Sequence, residues 1–411
     1  MGIDTAFRRL LAAKAGDQIF GSSVVSCTAG VPVVSVRDLL TDLYRAMTLP
    51  SRHGGKMEHL FTGDQLVDLI VSLALKDFQA SAPLISVLCV DNQALVPPEK
   101  GREQKRRDQD RDHEVPPYPD DATFHVEGIK YGPRHLNAPV RFDIRGVMSN
   151  RYLRRTLWVF VVSRLRERHS EMIPPGVNIL WDHFDEGVYT FTQAKCDLTT
   201  RYTNQFGEAD LKLAYWVNQF TQAGRRVEVV VHSIDSDVWL ILTHLVAHRR
   251  LKQKPIESRV LLRYWKQMWV DVTKFECFLR EKLKLTSAHL MAVCVLGGTD
   301  YVDKTLCFSG FSAETLFEWL STRSTDLEAL FADRKFLVRL VRYAYGRKWS
   351  MKEEMPPYSE LVEASEARTK CAETKKRKTA ERTVMFPGKK QLDEAFEMIR
   401  FNLQYWSQDW C

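Results

Sequence analysis

The chain has 411 residues, of which 45% are hydrophobic and 27% charged, enough to bury a large core in two or three domains or in one large α/β domain with insertions. A formal charge of +7, from 59 basic against 52 acidic residues, permits a polyanionic partner without identifying one. The eight cysteines form no C-x-x-C pair and several sit in apolar runs such as "SVLCV", which excludes a zinc site or disulfide framework and points to free thiols in a reducing compartment. No apolar run is long enough to span a bilayer, "MGIDTAFRRLL" carries charges where a signal peptide has its apolar core, and Ala6 breaks the myristoylation pattern. A soluble intracellular protein is expected.

Residues 5–14 read as a helix. "VPVVSV" (31–36) reads as a strand that leads into the helical "RDLLTDLYRAM", and "GDQLVDLIVSLALKDF" reads as a helix before the strand "PLISVLCV" (83–90). Strand followed by helix, repeated, predicts a parallel α/β sheet. Residues 97–148 break the rhythm with prolines and mixed charge and read as an insertion outside the core. A helix resumes over about 150–170, followed by a strand at "VNILWDHF", a helix from "GEADLKLAYWVNQF", the strand "RVEVVV" and a helix from Asp237 onwards. "RVLLRYWKQMWVDV" reads as a hairpin or two short strands, and "TKFECFLREKL" and "SAHLMAVCVLGG" as helices. After a charged stretch at 367–383, the chain ends in an amphipathic helix rich in aromatics.

In a doubly wound sheet, ligands collect beyond the carboxyl ends of the strands. Three predicted strands end in aspartate, at Asp38, at Asp91, and at Asp235 with Asp237 beside it. Each alone is also a good helix N-cap; their shared topological position is what argues for more. Glu208 and Asp210 open a helix, where the dipole favours acids in any case, and Asp300 follows a Gly pair that ends one. Seven carboxylates converging would repel one another without a divalent ion, and hard oxygen donors suit Mg²⁺ or Mn²⁺.

In order and spacing these blocks resemble the flap endonuclease and XPG superfamily of 5' nucleases, a branch of the PIN-like fold. "MGI" opens the chain as in many of those enzymes, "LISVLCVDNQALVPPEKGREQKRR" is similar to the family's strand, Asp, Pro-Pro and basic helix, "GEAD" to its E-A-E, "SIDSD" to its D-x-D, and "KLTSAHLMAVCVLGGTDY" to its helix ending in L-G-x-D-Y. The likeness covers roughly residues 1–107 and 206–320. It implies a PIN-like α/β domain, a central mainly parallel sheet flanked by helices, with an arch-like insertion and a helical C-terminal extension. The implied divisions are 1–99 and 206–325 for the two parts of the core, 100–205 for the insertion with a connecting helix and strand, and 326–411 for the extension.

The resemblance further implies two divalent ions, with Asp38, Asp91, Glu208 and Asp210 serving one and Asp235, Asp237 and Asp300 the other. Lys100 and Arg106 stand where the family clamps the scissile phosphate, with Arg102, Lys105 and Arg107 beside them for nucleic-acid contact, although a solvated basic face reads equally well from charge alone. Tyr44 corresponds to a base-stacking position; a core tyrosine is the alternative. Several features depart from the pattern. Arg37 precedes Asp38 where an apolar residue is usual, Asp42 is a rival ligand, and Asp210 replaces a glutamate. Only Gly310 remains of a glycine-rich hairpin that grips duplex in the family, and the interval from Asp91 to Glu208 is long.

The expectation is a metal-dependent nuclease acting on DNA flaps, ends or junctions. Two alternatives stay open, an RNA endonuclease resembling the herpesvirus host-shutoff proteins and a PIN-like nucleic-acid-binding module without turnover. "KKRK" (375–378) reads as a nuclear import signal or a solvated linker, and no membrane partner is expected.

Overall fold

The computed structural model describes residues 19–21, 28, 30–48, 60–75, 83–91, 124–126, 129–131, 142–143, 151–183, 187–199, 206–222, 226–233, 235–264 and 268–291, with scattered positions over 390–401. The strands are β1 (Phe20–Gly21), β2 (Val33–Asp38), β3 (Leu60–Phe61), β4 (Pro83–Cys89), β5 (Phe124–Val126), β6 (Ile129–Tyr131), β7 (Phe142–Asp143), β8 (Asn178–His183), β9 (Gly187–Phe191), β10 (Cys196–Thr199), β11 (Glu228–His232), β12 (Arg259–Tyr264) and β13 (Met268–Asp271). The helices are α1 (Leu39–Thr48), α2 (Gly63–Leu75), α3 (Arg151–Met172), α4 (Ala209–Phe220), α5 (Ser236–Leu251) and α6 (Val272–Glu281).

Nine strands form one mixed sheet in the order β1-β13-β12-β11-β2-β4-β8-β9-β10. The middle five, β12 to β8, are parallel, and antiparallel strands close both margins. The expected mixed α/β architecture with a mainly parallel centre is what the chain forms. β2 and β11 are buried along their whole length, the reason "VVSV" and "EVVV" read as unbroken runs rather than alternating ones.

Helices cover both faces. On one face, Leu39 and Leu43 of α1, Leu66, Val67 and Ile70 of α2, and Leu157, Trp158, Val161 and Leu165 of α3 pack over Leu88, Ile179 and Trp181. Trp158 meets Trp181 edge-on, with centroids 5.9 Å apart. On the other, α4 lies across β2, β4 and β11, and α5 packs between α4 and α6. The segment expected as a connecting helix and strand supplies α3 and three sheet strands, β8 to β10. Within it, the β9–β10 hairpin has no strong apolar run to announce it. "RVLLRYWKQMWVDV" forms the antiparallel β12–β13 hairpin. Positions described over 390–401 are helical, with Leu392 and Phe396 buried four residues apart.

From β2 the chain moves outward through β4 to β8, then returns to β2's other side as β11 and continues to β12. The order therefore reverses between β2 and β11, and such a switch point leaves a crevice at the carboxyl edge of the sheet. Among the described residues, no helix is long and apolar enough to cross a membrane. The helix expected at 5–14, the basic stretch 100–107, the region around Gly310 and the "KKRK" run lie outside the described residues.

Candidate metal centre at the carboxyl edge

Pairing fixes how the strand ends line up. His232 stands beside Arg37, and Asp38 beside Cys89, which stands beside Asp182. The carboxyl ends of β11, β2, β4 and β8 thus form one edge, and residues directly across from one another share a face.

Asp38 closes β2 and caps α1. Its Oδ1 accepts from Leu40 N at 3.1 Å and Thr41 N at 3.3 Å, and its Oδ2 accepts from the Thr41 hydroxyl. The capping role open from sequence is therefore real. Burial pushes its carboxyl up to about 7, with Asp91 and Asp42 adding to the rise and the Thr41 hydrogen bonds opposing it. Arg37 does not offset this, because alternation along the strand turns it to the opposite face. There it meets Asp42 at 2.6 Å, the two side chains 1% and 5% exposed. The unusual arginine and the rival acid thus answer each other.

Asp91, two residues past β4, accepts the Ala209 N–H at 2.9 Å. Glu208 holds the N-cap position of α4 with extended backbone and makes no capping bond through its side chain; Asp91 provides that acceptor from another strand. Glu208 is buried, and Asp210 follows in the first turn. Asp235 caps α5, accepting from Asp237 N at 3.0 Å, while its own N–H donates to the Ser233 hydroxyl at 3.1 Å. Asp237 is buried in that turn.

Asp38, Asp91, Glu208 and Asp210 thus gather about the ends of β2 and β4, with Asp235 and Asp237 across the switch point. Tyr44 lies within α1. Lys100, Arg102, Lys105, Arg106, Arg107 and Asp300 lie outside the described residues. Among the described residues, no three acidic, histidine or cysteine side chains stand close enough to form a closed ligand group. In kind the donors fit Mg²⁺ or Mn²⁺, being carboxylate oxygens. A carboxylate raised by burial and by a second carboxylate is also one that a cation would return to its ordinary range.

Sequence reasoning missed one further acid at this edge. Asp182 of β8 stands 3.0 Å from Lys212 Nζ, both buried, and accepts the Trp216 indole N–H at 2.8 Å. Two signals were available. Asp182 ends an apolar strand as the other acids do, and Lys212 interrupts the otherwise apolar run "LKLAYW" of α4.

Cys89, Cys196 and Cys277 are free thiols. No family model matches the chain, and no curated protein matches it significantly. Among solved structures it is similar to two of the catalytic core of Rad2 in complex with DNA substrate, complexes III and II. Identities are 12% and 11%, with 91% of this chain covered in both and 88% and 86% of the other chains, at TM-scores of 0.32 and 0.30. Similarity at that level assigns neither a family nor an activity.

Proposed function

We propose that the chain is a divalent-metal-dependent nuclease of the PIN-like 5' nuclease kind, hydrolysing phosphodiester bonds in DNA with flaps, ends or junctions. One observation carries the reading. Asp38, Asp91 and Asp235, from three neighbouring strands, share the edge at the switch point with Glu208 and Asp210, and their own hydrogen-bond partners are amides and hydroxyls.

Two divalent ions ~4 Å apart would supply an activated water and stabilise the departing oxygen. Asp38, Asp91, Glu208 and Asp210 would hold one, and Asp235, Asp237 and Asp300 the other. Asp210, a methylene shorter than glutamate, either reaches over a longer contact or works through a water. Lys100 and Arg106 grip the scissile phosphate, Arg102, Lys105 and Arg107 hold its neighbours, and Tyr44 stacks on a base. Amides and hydroxyls already fix the carboxylates of Asp38, Asp91 and Asp235, so those groups need little reorganisation on loading.

The test is cleavage of labelled 5'-flap DNA, nicked duplex, single-stranded DNA and structured RNA with Mg²⁺ or Mn²⁺, beside the Asp235→Ala/Asp237→Ala variant. Flap or junction cutting that disappears in the variant is expected. Cutting of RNA alone moves the protein to the host-shutoff-like class, and folded protein that cuts nothing makes it a binding module.

A further inference from the structure

Beside the acids lies Lys212, a buried cation that the proposed reaction does not use. Lys212 stands one turn into α4, its N–H donating to Glu208 O at 3.2 Å. Its ammonium meets one oxygen of Asp182, whose other oxygen is held by Trp216. Asp182 is to β8 what Asp38 is to β2, since the register runs Asp38, Cys89, Asp182 across three adjacent strands. At roughly 4.8 Å per strand, Asp182 lies about 10 Å from Asp38. These charges share one electrostatic neighbourhood.

We propose that Lys212 is a positioning residue that keeps Asp182 out of the ligand set and lowers the negative charge that divalent ions meet at this edge, so tuning how tightly they bind. The inference rests on the metal-dependent reading above. With the Trp216 indole on one oxygen and the Lys212 ammonium 3.0 Å from the other, the charge of Asp182 is balanced locally. Without Lys212, Asp182 becomes an uncompensated acid two strands from Asp38. Without Asp182, Lys212 becomes an uncompensated cation facing the same ions. One unit charge about 10 Å from a divalent ion, in surroundings between protein and water, alters binding by about tenfold.

The experiment measures Mn²⁺ affinity of the DNA-free full chain by titration calorimetry, with circular dichroism to confirm folding. Lys212→Gln is expected to bind about tenfold tighter and Asp182→Asn several-fold weaker, whereas Lys212→Arg and the Lys212→Gln/Asp182→Asn pair stay within about twofold of the parent. A purely structural role would weaken both single variants alike. If a single variant fails to fold, the arginine and paired variants carry the test, and a tenfold change in either overturns the proposal. Parent binding abolished in Asp91→Asn, with equal affinities in Lys212→Gln and Asp182→Asn, sinks this inference alone. No saturable Mn²⁺ binding by the parent sinks it together with the nuclease reading.

Discussion

Two aspartates end strands and cap the helices that follow, at different parts of the same sheet. Asp271 closes β13 and accepts from Lys274 N at 3.1 Å and the Thr273 hydroxyl at 2.9 Å, and Asp235 follows β11 and accepts from Asp237 N. Their surroundings differ. Asp271 also takes Arg259 Nε at 3.1 Å, and the same arginine lies 3.8 Å from Glu228, whose carboxylate accepts from Thr28 as well. Toward the amino ends of the central strands, acids are neutralised. At the carboxyl edge, Asp38, Asp91 and Asp235 have amides and hydroxyls instead. An acid that ends a strand is thus no marker of chemistry by itself; the proposed site is set apart by neighbouring acids and by the lack, among the described residues, of a guanidinium on these three carboxylates.

The largest effect should come from breaking the exception at the carboxyl edge. Lys212→Met leaves Asp182 buried without its ion partner and should cost about 3–5 kcal/mol in urea denaturation. Adding Asp182→Asn, which keeps an acceptor for Trp216, should recover most of that loss.

Next, Asp91→Asn and Asp235→Asn should each lower single-turnover cleavage by about a hundredfold or more, beyond the loss typical of a group behind the ligands. Asparagine still accepts the Ala209 or Asp237 amide, so stability should move by only a few tenths of a kcal/mol. Asp271→Asn should do the reverse, leaving cleavage within about twofold and removing about 0.5–1 kcal/mol of stability through the half-exposed Arg259 pair.

A third effect concerns acid. His244 on α5 and His289 are each lowered to about 4 by burial, His244 further by His248. Their hydrogen bonds to Ser287 and Thr286 use one ring nitrogen each. Unfolded, both take up protons near 6.5. Between those values the unfolded chain binds more protons at these two sites, so their contribution is complete above about 6.5 and declines as the pH falls towards 4, by about 3 kcal/mol for each ring. Asp38, raised to about 7, opposes this over the same window because the folded chain holds its proton there, so the check is the difference between two chains: the denaturation midpoint of His244→Gln should fall less on acidification than that of the parent. Smallest is the cap itself: Asp235→Ala should cost about 1 kcal/mol, read as a shift in urea midpoint with unchanged slope.

How far the sequence displays all this depends on how locally each contact is made. β2, β4 and β11 are legible because strands buried on both faces are continuous apolar runs, and the Ser233–Asp235–Asp237 turn because it closes within five residues. Arg37 was visible only as an oddity, since its partner Asp42 is five residues on but reached from strand to helix. Lys212 and Asp182 were not legible as a pair, because only the pairing of β8 into the sheet brings their elements together. The β9–β10 hairpin went unread because its second strand is short and largely exposed. Charge and spacing alone do not rank the basic residues 100–107.

The Asp91–Ala209 hydrogen bond joins positions 118 residues apart. Contacts of that separation form only after the chain between them has been gathered in, and the entropy of closing so long a loop must be met before they stabilise anything. In refolding, this edge should therefore be completed late, after α3 has packed and β8 has joined the sheet. A chain caught halfway would have most of its helices and an unfinished carboxyl edge. Competence of this edge is thus a late reporter of a finished fold.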